Sequence, residues 1–461
     1  MLRLVFHGHY GTDTEAGRGK ERARSIALTA MTALIAKIVA MAVPLVTVRI
    51  TLQYMGDEIY GLWATIVSFF TMFAFADLGL GSGLQTELSK ATAFGDPQRL
   101  KRLVSSCYLV LIGVSLLLLF IFGVLYPFVN WGSLMNATTE NTIAMSGGVV
   151  AAIVVSMILN VPFSLIQRTQ LAMQEGYRSN LWQCAGNLLG LLLILLISRL
   201  NLGVLAMIWA SSMITVIVSA LNTFVYFIRQ RPELRPSMKA FDKPLCGRLL
   251  KTGMAFFVLS IFTSVSLSID NVIVAHTCGL SDVTPYSILY KIAAMIGVVS
   301  AMLSSPMWSA NGEALQRGEY QWVREATRKI ALISVLFSTA ATIGILLLMK
   351  PALWILTDGT VETDYSLLIG MCLYQIIVSF TNPYFMILNG AGIVRFQIVN
   401  YLIYAVISLP MKFLLGERYG AMVIPWIGLG TYLLILTVPT MLRSFQVIGQ
   451  RGTSGHVEFD H

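Results

Sequence analysis

Long apolar runs separated by short polar tracts make up almost the whole chain. Most of these runs approach the ~20 residues that an α-helix needs to cross the hydrocarbon core of a bilayer. Twelve are recognised, at 26–49, 59–84, 103–126, 146–167, 183–198, 202–228, 252–275, 283–308, 330–349, 366–389, 397–415 and 421–442. The pattern predicts an all-α polytopic membrane protein with about twelve transmembrane helices.

The positions of the basic residues predict how these spans are oriented. If the N-terminus is cytoplasmic, most of the 32 Lys and Arg residues fall in the inside segments. The residues assigned to outside segments and their edges are Arg49, Arg199, Lys350, Lys412 and Arg418. Cytoplasmic loops of membrane proteins carry an excess of Lys and Arg. Both termini are therefore predicted to be cytoplasmic.

A long basic tract, "RQRPELRPSMKAFDKPLCGRLLK", divides the spans six and six. Because six is even, both halves enter the membrane from the same side, as two parallel repeats do. The predicted organisation is a cytoplasmic N-terminal tail at 1–25, an N-lobe at 26–228, a basic linker at 229–251, a C-lobe at 252–442 and a cytoplasmic C-terminal tail at 443–461.

The composition supports a membrane protein. The chain is 56% hydrophobic and 12% charged, with a mean hydropathy of +0.73, whereas soluble domains carry about 25% charged residues. The net charge of +9 does not indicate nucleic-acid binding, because the basic residues lie in short tracts between spans. The five cysteines are scattered, without a CxxC pair or a nearby His, so neither a metal nor another cofactor is expected.

Three stretches carry a resemblance to a known family. They are "YMGDEIYGLWATIVSFFTMFAFADLGLGSGLQTELSKATAFGD", "LAMQEGYRSNLWQCAGN" and "IDNVIVAHTCGLSDVTPYSILYKI". With the twelve spans, they resemble the Wzx-type O-antigen flippases and polysaccharide exporters of the multidrug/oligosaccharidyl-lipid/polysaccharide (MOP) superfamily. The resemblance extends over about 25–443.

This resemblance implies a MATE-like transporter with two six-helix lobes around a central cavity. It implies that an undecaprenyl-pyrophosphate-linked sugar repeat moves from the cytoplasmic to the periplasmic leaflet of the bacterial inner membrane. The expected partners are that lipid-linked oligosaccharide, membrane lipid, and a polysaccharide polymerase with its chain-length regulator. A monomer is expected.

Charged residues within spans are candidate transport residues, because a charge at membrane depth is expensive. Lys37 lies roughly 16 Å into span 1, and Lys291 roughly 12 Å into span 8. Both are candidate cavity cations for phosphate. Asp270 is the candidate counter-ion of Lys291, either as a purely structural pair or as an exchangeable, ion-coupled one. Arg49 either guides an anionic substrate or extends to the interface, and Lys412 is predicted to be an interfacial anchor.

Span 7 also carries a predicted polar face, formed by Ser260, Ser264, Ser268 and Asn271. These residues fall within about 80° on a helical projection. The face indicates either a water-filled cavity or polar packing between helices, which is common in membrane bundles.

Asp77 follows an apolar run in "FFTMFAFADLGLGSGLQ" and precedes several glycines, which allow close approach of another helix. Two hypotheses remain open for it. Asp77 orients the inner end of span 2 against neighbouring backbone, or it titrates as part of ion coupling.

Three functions are compatible with these features. The first is a lipid-linked oligosaccharide flippase, and the second is a drug or small-solute antiporter of the same superfamily. The third is a membrane polysaccharide polymerase or glycosyltransferase. The cations Lys37 and Lys291 favour an anionic ligand over the cationic drugs of antiporters. No phosphate-binding glycine loop or large catalytic loop is present, so a non-enzymatic transporter without direct ATP use is expected.

Overall fold

The computed structural model describes residues 10–11, 13–71, 79–135, 139–357 and 365–450, and this part of the chain is helical throughout apart from short connections. Its α-helices are α1 (Glu15–Met55), α2 (Asp57–Thr71), α3 (Leu80–Thr92), α4 (Pro97–Leu125), α5 (Trp131–Leu134), α6 (Glu140–Ala172), α7 (Gly176–Leu200), α8 (Val204–Val225), α9 (Lys243–Ser268), α10 (Asp270–Thr277), α11 (Leu280–Ser304), α12 (Met307–Gln316), α13 (Tyr320–Thr357), α14 (Tyr365–Ala391), α15 (Arg395–Tyr419), α16 (Ile424–Thr431) and α17 (Val438–Gln450).

The helices match the predicted membrane spans. Within the described residues, 11 helical segments are long and apolar enough to cross a membrane, and each overlaps one predicted span. The remaining span, 59–84, corresponds to α2 and α3, which lie on either side of 72–78. Residues 72–78 lie outside the described part of the chain, and Asp77 lies among them. The all-α polytopic membrane fold is therefore confirmed.

The described chain forms two compact units, and their borders differ from the predicted lobes. The N-terminal unit runs from Leu28 to Met254, and the C-terminal unit combines the described residues up to Ala27 with those from Ala255 onward. The predicted linker 229–251 is largely structured: two short 3₁₀ turns follow a π-helical turn, and α9 begins within it at Lys243. The first half of α9 belongs to the N-terminal unit.

A glycine contact allows α9 to pack closely against α3. In the N-terminal unit, Gly83 of α3 and Gly253 of α9 meet backbone to backbone. A Cβ atom on Gly83 would lie 3.0 Å from the Leu249 carbonyl oxygen, and one on Gly253 would lie 3.0 Å from the Leu80 nitrogen. Such contacts require residues without side chains, as in other membrane helix pairs.

The N-terminal unit has an apolar core and, beside it, a buried pair of amide side chains. Leu84, Val104 and Ile166 are fully buried where α3, α4 and α6 meet. Gln170 and Asn222 exchange two side-chain hydrogen bonds of 2.8 and 3.2 Å between α6 and α8. Buried amides without hydrogen bonds are costly in hydrocarbon, and this reciprocal pairing satisfies both.

The start of α1 belongs to the C-terminal unit, although 1–25 were predicted as a tail. Arg22 is 2% exposed and forms ion pairs with Glu313 and Glu319. Its guanidinium also lies 5.0 Å from the ring centroid of Trp322. Ile26 packs with Met307 in a small apolar cluster. Buried ion pairs and apolar contacts hold this segment against the C-terminal unit. Its polar composition alone predicted an exposed tail, because composition does not show which charges find a buried partner.

The C-terminal end of the described chain is similarly part of the core. Helix α17 continues through the predicted tail boundary at 443 to Gln450. Val447 and Ile448 are 6% and 4% exposed and pack with Leu388 of α14. Thr440 and Ser444 of the same helix are also fully buried, whereas Leu442 is 58% exposed, so one face of α17 packs within the unit.

Candidate functional site

A buried charged pair lies in the C-terminal unit, between α10 and α15. Lys412 Nζ donates to Asp270 Oδ1 over 2.6 Å. The two side chains are 3% and 15% exposed, respectively. Tyr286 of α11 donates its hydroxyl to the other carboxylate oxygen over 3.3 Å. The carboxylate therefore has a partner on each oxygen, as a buried charge requires.

Tyrosines surround the pair. A cavity of ≈10 Å³ adjoins it, about the size of one water molecule. The cavity is lined by Asp270, Tyr286, Tyr290, Met371, Tyr374, Gln375, Lys412, Pro425 and Gly428. The lining residues come from α10, α11, α14, α15 and α16. Five helices of this unit thus converge on a single carboxylate–ammonium pair.

The energetics of such a pair are asymmetric. Coulombic attraction roughly offsets the desolvation of two buried charges, so the intact pair contributes little net stability. Loss of either charge leaves the other buried without a partner, which costs about 3–5 kcal/mol. Asp270 and Lys412 therefore behave as one energetic unit.

The partner predicted for Asp270 was Lys291, and the structure assigns Lys412 instead. Lys291 is exposed and, within the described residues, forms no ion pair. Successive residues on a helix point about 100° apart. Tyr290 lines the cavity, and Lys291 is therefore turned away from it. Lys412 was predicted as an interfacial anchor but is buried.

Lys412 was missed because its partner is 142 residues away in the sequence. The same rule that singled out Lys37 and Lys291, a charge within an apolar run, applies to Lys412 in "SLPMKFLLG". Its position near the end of a short predicted span made an interfacial role the simpler interpretation.

The predicted polar face of span 7 is interrupted. α9 ends at Ser268 and α10 begins at Asp270, so the four residues do not lie on one continuous helix. Ser264 is exposed, Ser260 donates its hydroxyl to the Phe256 carbonyl at 2.9 Å, and the side chain of Ser268 lies outside the described part. The Asn271 side-chain oxygen is buried with no hydrogen-bond partner among the described residues.

Lys37 and Arg49 lie on the N-terminal-unit part of α1, and both side chains are exposed. Neither forms an ion pair within the described chain. Neighbouring side chains such as Ile38, at 59% exposed, share this exposure. Each of the predicted cations Lys37, Arg49 and Lys291 stays a candidate contact for an anionic ligand.

These features define the class of protein. Eleven described spans, two compact helical units and a buried charged pair indicate a multi-pass membrane protein. The sequence profile of the polysaccharide biosynthesis protein family matches residues 28–310, and that of the MatE family matches 255–414. The chain belongs to the polysaccharide biosynthesis protein family.

Two relatives are named for transport. An O-antigen export protein of Yersinia pseudotuberculosis, so described by its name, is 22% identical over 83% of this chain and 87% of its own length. A protein of Salmonella typhi, named as an O-antigen transporter, is 21% identical over 64% of this chain and 66% of its own.

Solved structures share the fold. An outward-facing multidrug resistance MATE family transporter of the MOP superfamily superposes with a TM-score of 0.77, at 14% identity, over 95% of this chain and 97% of its own. A MATE transporter of Vibrio cholerae superposes with a TM-score of 0.73, also at 14% identity, over 94% and 97%. The MATE-like fold and the resemblance to Wzx-type members of the MOP superfamily are confirmed.

Proposed function

We propose that this protein is a flippase for lipid-linked polysaccharide repeat units. It moves an undecaprenyl-pyrophosphate-linked oligosaccharide from the cytoplasmic to the periplasmic leaflet of the bacterial inner membrane. The observation that carries this proposal is the relative named for O-antigen export, which aligns along 83% of this chain and 87% of its own length. Such an alignment covers the transport machinery as a whole and not one shared segment.

The cations on the spans support an anionic substrate. Lys37, Arg49 and Lys291 have exposed side chains on helices that cross the membrane. A charge facing lipid costs about 2.5–3.5 kcal/mol, so exposed cations at this depth favour an aqueous or substrate-lined surface. Arg and Lys are the usual protein ligands of phosphate, and these three residues are the proposed contacts of the pyrophosphate.

The Asp270–Lys412 pair is the proposed coupling element. Protonation of Asp270 removes its negative charge and leaves the Lys412 ammonium to be balanced by another anion. The other titratable groups that line the same cavity are Tyr286, Tyr290 and Tyr374. A proton gradient across the membrane would act on this balance, and Asp270 is therefore the proposed proton-binding residue of the transport cycle.

The site also favours a second candidate, a small-solute antiporter. The MatE profile matches 255–414, which contains the buried carboxylate Asp270. In that case the carboxylate would bind a cation, and sugar lipids would not be substrates. Surface polysaccharide separates the two functions, because only the flippase is needed to make it.

The predicted topology completes the proposal. Both termini are proposed to be cytoplasmic, and the transported units would pass to a polysaccharide polymerase with its chain-length regulator. A fluorescent protein that folds only in the cytoplasm, fused to each terminus in turn, tests the topology. A dark fusion with normal protein level contradicts it.

The function itself is tested by the sidedness of lipid-linked sugar. Undecaprenyl-linked oligosaccharide is labelled from outside with a membrane-impermeant reagent, in spheroplasts that carry or lack the gene. We expect single repeat units to accumulate protected from the reagent when the gene is absent, and to become labelled when it is restored. Single units that reach the outer face without polymerising indicate a polymerase, and unchanged sugar intermediates indicate the antiporter.

A further inference from the structure

A second cavity in the C-terminal unit lies away from the Asp270–Lys412 pair. Its volume is ≈340 Å³, within the range of small-molecule binding sites. It is lined by Arg324, Glu325, Thr327, Arg328, Tyr384, Ile387, Phe445 and Ile448. These residues belong to the first turns of α13, the C-terminal half of α14 and the end of α17, and none of them lines the cavity beside Asp270.

The two arginines form the polar side of this cavity. Arg324 and Arg328 are four residues apart on α13, so they lie on the same face of the helix. Both side chains are exposed, and neither forms an ion pair within the part of the chain that the structure describes. The acidic residue beside them, Glu325, accepts a hydrogen bond from Gln321 at 3.1 Å. The arginine pair is therefore open to an external anion.

A buried hydroxyl adds a further observation. Thr327 lines the cavity and is 2% exposed. Its hydroxyl oxygen has no hydrogen-bond partner among the described residues. A buried hydroxyl without a partner costs free energy unless a ligand or water completes it. A bound anion would offer this hydroxyl an acceptor beside the two guanidinium groups.

The other side of the cavity is apolar and continues onto the apolar surface of the helices. Tyr384 and Phe445 meet edge to face, with ring centroids 6.0 Å apart. Along α13, Leu332 and Leu336 follow Arg328 at four-residue spacing and are 60% and 61% exposed. The arginines thus mark the end of an exposed apolar stripe. This arrangement matches a phosphate headgroup with its hydrocarbon chain and does not match a free soluble anion.

We propose that this cavity binds the phosphate group of a lipid in the cytoplasmic leaflet. Arg324 and Arg328 hold the phosphate oxygens, since guanidinium groups bind phosphate in a bidentate manner. The acyl or prenyl chain lies along the stripe of Leu332 and Leu336. The side of the membrane follows from the predicted topology, which places the α12–α13 connection in the cytoplasm. The site does not depend on what the protein transports.

The test is lipid binding to the purified full-length protein, measured by native mass spectrometry in mild detergent. The ligands are phosphatidylglycerol, undecaprenyl phosphate and, separately, inorganic phosphate. The variants are Arg324→Gln/Arg328→Gln and the control Arg395→Gln, which removes the charge of an exposed arginine at the start of α15, outside the cavity. We expect the double variant to bind lipid phosphate at least about tenfold more weakly than the wild type. This factor corresponds to the loss of one or two charged hydrogen bonds. The control should bind as the wild type does.

Each outcome decides the proposal. Weaker binding of both lipids supports a general lipid-phosphate site, and weaker binding of undecaprenyl phosphate alone identifies the prenyl lipid as its ligand. Equal binding by the double variant overturns the site. An equal loss in Arg395→Gln overturns it too, because the attraction would then be nonspecific. Inorganic phosphate that binds as tightly as the lipids would exclude the lipid chain from the recognised ligand. Should the double variant misfold, Arg324→Lys/Arg328→Lys keeps both charges and is still expected to lose the bidentate contacts.

Discussion

The Asp270–Lys412 pair allows a quantitative test of how this membrane protein holds a buried charge. Asp270→Ala leaves the Lys412 ammonium without its counter-ion, and Lys412→Ala leaves the Asp270 carboxylate. The side chains are 15% and 3% exposed, so solvent screens the remaining charge only weakly. Removing one partner of a buried pair costs about 3–5 kcal/mol of the free energy of unfolding. The partial exposure of Asp270 places the expected value for Lys412→Ala toward the lower end, because Asp270 is then the charge that remains.

The double variant Asp270→Ala/Lys412→Ala removes both charges. We expect it to be more stable than the sum of the two single losses predicts, by at least about 2 kcal/mol, because no unpaired charge remains. The matched control is the Glu325–Lys329 pair, whose side chains are 55% and 75% exposed at a separation of 4.0 Å. Its coupling energy should be no more than about 0.5 kcal/mol.

The assay is reversible unfolding in mixed micelles at increasing dodecyl sulfate, followed by the fluorescence of the eight tryptophans. Two results would refute the reasoning: single variants as stable as the wild type, or a double variant whose loss equals the sum of the single losses. Surface polysaccharide is measured on the same variants. If the double variant is stable but makes no surface polysaccharide, the Asp270–Lys412 pair takes part in transport. If the double variant makes normal surface polysaccharide, the pair has a structural role alone.

Substitutions at Gly253, Arg22 and Lys37 test three other parts of the protein. Gly253→Ala should destabilise the protein by about 1–3 kcal/mol in the same unfolding assay, because its Cβ would lie 3.0 Å from backbone; Gly113→Ala, with no heavy atom within 4 Å of the added carbon, should be neutral or slightly stabilising. Arg22→Ala should cost about 1.5–3 kcal/mol, because Glu313 and Glu319 each lose one charged partner but keep Arg317 and Arg18, respectively. Arg24→Ala should cost less than about 1 kcal/mol. Lys37→Ala should abolish surface polysaccharide at normal protein level, and full surface display would remove Lys37 from the proposed transport path.

Negative results for these variants have distinct meanings. If Gly253→Ala is as stable as Gly113→Ala, α3 and α9 separate more easily than their backbone contact implies. If Arg22→Ala and Arg24→Ala have the same free energy of unfolding, the ion pairs of Arg22 do not anchor the start of α1 to the C-terminal unit in the membrane. Each comparison uses a residue of the same type on the same or a similar helix, so that loss of helix propensity cancels.

The local pattern was sufficient to identify Asp270 as important. A carboxylate in an apolar run must find a partner, whatever the fold, because hydrocarbon cannot solvate it. The local sequence pattern could not show which residue is that partner. Lys291 is closer in the sequence, but the turn of α11 directs it away from the cavity, and Lys412 arrives from α15. Only the packing of five helices decides which cation is within 2.6 Å.

The amino-acid sequence by itself determined the class of protein, the number and limits of most spans, and the predicted orientation. These properties depend on how each segment partitions between water and lipid, which is a local quantity. The tertiary structure decided which distant residues meet: the Gly83–Gly253 contact, the attachment of Arg22 to the C-terminal unit and the Asp270–Lys412 pair. Such contacts depend on the rotation of each helix about its axis and on its neighbours, which hydropathy does not encode.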